Sequence, residues 1–205
     1  MQDAYGGWIQ QRNFPAEMLA SLYELNLRFL DLASAREGAW HAPLAIGLPG
    51  CAAQELSPMT PAQRAAAAHC PYALFDIRFN DEAHWLARLC GAGSWRIADE
   101  PGATEDVANF VRLALFYAWH VASTAKHSAR LVLGMSERTA EAFRGATLNC
   151  LPALVASETS NLSARWCTSA AYWNALLGAA SRRDAHRLHR VQLLGVQLAA
   201  AALLP

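Results

Sequence analysis

The chain repeats itself. Leu44-Ala45-Ile46-Gly47-Leu48 returns 87 residues later as Leu131-Val132-Leu133-Gly134-Met135, and the match runs on without a gap. Ala53 meets Ala140, Leu56 meets Phe143, Thr60 meets Thr147, and Arg78-Phe79 meets Arg165-Trp166. Trp85 and Trp173 follow, one residue out of step. Each matched position has a physical job: the glycine ends a helix, the threonine caps the next, and the aliphatic positions face a core. A chain built this way folds as two related units whose partner surfaces are each other.

The elements between these landmarks are helical. Met18, Leu22, Leu25, Phe29 and Leu32 recur at steps of four and three behind the cap Asn13 and Pro15, which predicts a half-buried helix to about Ser34. A short helix is expected over Trp40–Ile46, stopping at Gly47. Thr60-Pro61-Ala62-Gln63 is a capping-box sequence ahead of an alanine run that Pro71 ends. Ala73–Phe79 alternates loosely, as an extended segment would, and Asn80-Asp81-Glu82 opens the helix of Trp85. Phe110–Ala122 is apolar except at Arg112 and His120, so it belongs at the centre. Ser136 and Thr147 are caps, a helix is expected around Ser169–Ala180, and a last one from about Asp184 to Leu204. Its apolar stretch, Val191 to Leu204, is expected to pack on Phe110–Ala122. The division that follows is a first repeat over 1–90, a linker over 91–105 rich in glycine and proline, a second repeat over 106–180, and a C-terminal helix over 181–205 packing on the core. The fold class is all-α.

Composition bounds the function. Of 205 residues, 54% are hydrophobic and 17% charged, and the charges cancel, so no whole-surface field exists to grip nucleic acid. The cysteines Cys51, Cys70, Cys90, Cys150 and Cys167 are odd in number with no CxxC pair, which fits reduced thiols in the cytoplasm. The opening MQDAYGGWIQQRNF lacks the order of a signal peptide, and the apolar runs are too short to span a bilayer.

Leu22-Tyr23-Glu24-Leu25-Asn26-Leu27 resembles the first-helix signature of the FlhD family, the helical subunit of the bacterial flagellar master transcriptional regulator. Ile46-Gly47-Leu48, Thr60 and Arg78-Phe79, and again Leu133-Gly134-Met135, Thr147 and Arg165-Trp166, are similar to that family's leucine–glycine turn, capped helix and arginine–aromatic ending. The resemblance implies a covalent pseudodimer of a unit that elsewhere forms homodimers. It further implies a non-enzymatic transcription regulator or co-regulator acting through protein–protein contacts, with an FlhC-like zinc-binding subunit as partner and DNA reached through it. Three positions depart from the family. The cysteine that links the dimer in some members falls at Phe75 and Leu162, the signature asparagine meets Leu113 in the second copy, and the helix after Ser181 has no counterpart.

No cofactor and no catalytic set can be read. His186 and His189 share a helix face, but no cysteine or carboxylate cluster completes a metal site beside them. His69-Cys70 are adjacent and so point apart along a helix, which suits neither nucleophile nor base. The sharpest charge feature is Ser181-Arg182-Arg183-Asp184-Ala185-His186-Arg187-Leu188-His189-Arg190. Arg183, Arg187 and Arg190 are expected on one helical face, and with Arg182 they are the candidate nucleic-acid contact, acting on phosphates. The plainer reading is a solvated face at the start of an amphipathic helix. Two other functions stay open: a motility- or secretion-associated chaperone holding a client protein on its apolar helices, and an enzyme whose site one sequence does not disclose.

Overall fold

Met18, Leu22, Leu25 and Phe29 form the buried stripe that their spacing predicts, on helix α1 (Ala16–Ala35). The computed structural model describes residues 14–35, 47–90 and 104–203. The expected helix over Trp40–Ile46, the cap Asn13 and most of the linker lie outside them. Among the described residues nine further helices follow: α2 (Gly50–Leu56), α3 (Pro61–Ala68), α4 (Glu82–Cys90), α5 (Glu105–Thr124), α6 (Lys126–Leu133), α7 (Glu137–Gly145), α8 (Leu151–Glu158), α9 (Ala170–Ser181) and α10 (Ala185–Ala201). Two short strands, β1 (Phe75–Asp76) and β2 (Ser163–Ala164), pair antiparallel, Phe75 opposite Ala164 and Asp76 opposite Ser163. Among the described residues no helix is long and apolar enough to cross a membrane.

The helix starts follow local chemistry. Thr60 accepts from the Gln63 amide while the Gln63 side chain reaches back to the Thr60 amide, completing the box. Ser136 caps α7 by accepting from the Thr139 amide, and Asp81 does the same for α4 from the His84 amide. Thr147 departs from expectation: its side chain caps nothing, and a 3-10 turn (Leu148–Cys150) leads into α8 instead. Gly134 closes α6 with a left-handed φ of 76°. It has a second duty, since a Cβ there would lie 2.8 Å from the Arg165 guanidinium.

One continuous core runs from Met18 on α1 to Val191 on α10. α1 and α5 pack together at its centre, joined by the Phe29–Phe75–Phe110 ring cluster and by Tyr117, whose hydroxyl donates to the Met18 carbonyl at 3.1 Å. Further contacts between the halves cross over. α2 packs on α9 and α4 packs on α7, where Trp85 and Phe143 rings sit 4.7 Å apart. The last helix does not take its expected seat on Phe110–Ala122. It lies mainly on α9 and α6, because its buried residues Val191, Gly195 and Ala199 form a narrow small-residue stripe suited to close approach.

Asn26 is fully buried in the middle of α1. Its amide nitrogen donates to the carbonyls of Ala68, Cys70 and Tyr72 at 3.1, 3.3 and 2.9 Å, and its oxygen accepts from the Leu74 amide at 2.9 Å. One side chain thereby satisfies the backbone of the turn between α3 and β1. Leu113, the expected counterpart in α5, is 42% exposed and makes no such clip. The buried pattern of α5 instead places Leu115 where α1 has Asn26, since Val107, Val111, Ala114 and Leu115 are buried in the order Met18, Leu22, Leu25, Asn26. Asn26→Leu leaves several backbone groups buried without partners, so it is expected to cost about 3 kcal/mol or more in urea unfolding. A loss below about 1 kcal/mol would show that the turn finds other partners.

Candidate functional site

The four candidate arginines gather where α9 hands over to α10. The chain leaves α9 through Arg183 in the left-handed region (φ 55°), with the Arg183 amide bonded to the Ala180 carbonyl and the Asp184 amide to the Ala179 carbonyl. Asp184 then caps α10 by accepting from the Arg187 amide at 2.9 Å. This turn corrects the expected face. Arg183 lies outside the helix, and Arg182 folds back over Gly178, where an added Cβ would come within 2.9 Å of its guanidinium. Only Arg187 and Arg190 share the α10 surface.

All four are exposed, and none takes part in an ion pair among the described residues. Elsewhere the cations are matched: Arg28, Arg64, Arg78, Arg88, Lys126, Arg130, Arg138 and Arg144 each face a carboxylate. Arg112 bonds Asn109, and buried Arg165 donates to the Val132 carbonyl at 2.8 Å. Asp184, the one acid in the cluster, is turned inward to its cap. Past Arg190 the same outer surface carries Leu193 and Leu194, 50% and 44% exposed.

A polar cluster that sequence reasoning missed anchors α10. Tyr72 and Tyr172 join hydroxyls at 2.9 Å, and Trp166 lies edge-on to both. The Tyr72 hydroxyl seats against Gly195, where a Cβ would overlap it at 2.0 Å. Gln192 donates to the His69 carbonyl at 3.0 Å. A lone glycine in the middle of an otherwise helical pattern was the available signal. Burial pushes the Cys70 thiol up to about 12, against hydrogen bonds from the surrounding tyrosines and Gln192. Burial likewise draws Arg165 down to about 10, with the Asp76 carboxylate opposing the shift.

These positions hold no acid–base chemistry. The His69 ring stacks on Tyr23 with centroids 3.7 Å apart, while the Cys70 thiol bonds to the Ala67 carbonyl, so no dyad forms between them. No group of metal-ligating side chains assembles among the described residues; His186 and His189 both point to solvent. What the arrangement offers is binding: unmatched positive charge beside exposed leucines, held on a helix docked through one glycine.

Thiol labelling at pH 8 tests the docking. Cys51, Cys90 and Cys167 are exposed and are expected to react promptly, while Cys70 stays protected. In Gly195→Ala the displaced α10 uncovers Cys70, which should then label under native conditions. Equal protection of Cys70 in both proteins would mean that α10 does not guard it. The chain matches no protein-family model, no curated protein and no solved structure.

Proposed function

We propose that the chain is a tandem-duplicated, FlhD-like pseudodimer that serves transcription control as a non-enzymatic adaptor, meeting DNA through a protein partner. The observation that carries this reading is the antiparallel bridge. Asp76 pairs with Ser163, which is its own counterpart at the repeat spacing of 87 residues. In a duplicated chain the two-fold axis must pass where equivalent residues meet, as in an isologous dimer. Residues of two copies that are linked to each other must also lie near that axis, and Phe75 and Leu162 flank it.

Other features support the same axis. α2 begins at Gly50 and α7 at Glu137, again 87 apart, and Gly47 and Gly134 both take positive φ. α4 and α9 begin 88 apart, matching the one-residue slip of Trp85 and Trp173. The cross-packing is reciprocal, α2 on α9 and α4 on α7. A client-holding chaperone has less support, because α5, the most apolar long helix, is spent inside the core.

The duplication is tested by cutting the chain between residues 91 and 103. Fragments 1–90 and 104–205 should each fail to fold as monomers, since each lacks the helices that cover it, and should recover the helical signal of the intact chain when co-expressed as a one-to-one complex. Cooperative unfolding of monomeric 1–90 alone would remove the pseudodimer. The regulatory role is tested by chromatin immunoprecipitation of the tagged chain in its native host. Enrichment at discrete promoters is expected, and a flat genomic background would count against transcription control.

A further inference from the structure

We infer that the outer face of α10, together with the α9–α10 turn, is a docking surface for an acidic amphipathic helix of a partner protein. Arg187, Arg190 and Leu194 follow one another at steps of three and four, with Leu193 beside them. Leu193 lies opposite the buried stripe of Val191, Gly195 and Ala199, and Arg187, Arg190 and Leu194 flank it, all four exposed with α10 docked on the core. Arg182 and Arg183 extend the positive end of this row.

The choice of occupant follows from charge complementarity and from the leucines. The arginines of this corner lack carboxylate partners among the described residues, while most other exposed cations have one. Of the four large hydrophobic side chains most exposed among the described residues, two stand on this one helix turn. Phosphates would satisfy the arginines but give the leucines nothing. A helix with acidic residues facing Arg187 and Arg190, and apolar ones facing Leu193 and Leu194, satisfies both. The surface rests on the adaptor reading for the partner's role, and it places the partner protein, rather than DNA, on these arginines.

The probe is a fluorescein-labelled synthetic helix of Glu-Leu-Leu-Glu-Glu-Leu-Lys repeats, titrated with the full chain and followed by anisotropy. Controls are the same helix with glutamine for glutamate, oligoglutamate, and a duplex DNA. The acidic helix should bind, and Arg187→Ala/Arg190→Ala and Leu193→Ser/Leu194→Ser should each weaken it about tenfold. Both control peptides should bind at least about tenfold more weakly. Both double variants change exposed residues, so their circular dichroism should match the wild type. Absence of binding, an unaffected leucine variant, or tighter binding of the duplex than of the acidic helix would each overturn the proposal. The outcome is independent of the cut-chain experiment: failed reassembly would remove the pseudodimer and leave this surface, whereas failed peptide binding would do the reverse.

Discussion

The crossed packing of α2 on α9 and of α4 on α7 decides most of this structure, because it leaves neither half with a closed core of its own. Trp85 on α4 finds its cover in Phe143 on α7, and Leu56 is buried on α2, the helix that packs on α9. Apolar surface removed from water is worth about 25 cal/mol per Å², so each half would expose its best hydrophobic material if it stood alone. The contacts that relieve this join residues far apart in the chain, and loop closure must come before their gain.

Two buried charges mark the joints between the halves. Arg165 reaches under Gly134 to the carbonyls that end α6, stacks on Trp166 at 4.7 Å, and has the Asp76 carboxylate near it. Glu158 is wholly buried at the end of α8, where it meets His84 at 2.9 Å, Arg88 at 3.5 Å and the Asn161 amide at 2.8 Å. Glu158 draws His84 and Arg88 from α4 across the junction, while Arg165 donates to the α6 carbonyls of its own half and has Asp76 of the other half near it. Such groups add little net stability when complete, but removing one partner leaves a buried charge exposed to its full desolvation cost. Their effect is therefore to penalise any other seating of α4 and α6, which keeps the crossed arrangement unique.

Much of the helical frame was legible because its signals are local. The stripe Met18–Leu22–Leu25–Phe29, the Thr60–Gln63 box, the Ser136 cap and the stop at Gly134 each depend on neighbours within a turn or two. The misses are non-local. Arg183 looked like part of a helical face because spacing alone cannot reveal a left-handed residue, which nothing but the handover from α9 to α10 requires. The seat of α10 was misjudged because apolar content says that a helix is covered and leaves open by what. Gly195 held that information, yet its meaning depends on Tyr72, 123 residues earlier. Asn26 was read as a family signature; its physical role, satisfying the turn between α3 and β1, needed the turn to be seen.

Two buried sites show how similar burial is met by opposite chemistry: His84 bonds the buried Glu158 carboxylate, whereas the Tyr72 and Tyr172 hydroxyls surround the buried Cys70 thiol. One pair, Glu158 with His84, has Arg88 beside it, and His84 reaches the surface. The other lies beneath α10, where burial raises the thiol and both tyrosine hydroxyls and keeps them neutral. A carboxylate at position 70 would be shut in among tyrosine hydroxyls, and a tyrosine at position 84 would leave Glu158 with Arg88 but without its 2.9 Å histidine contact. Among the described residues, the unmatched Arg187 and Arg190 and the exposed Leu193 and Leu194 all stand on the helix that makes this cover.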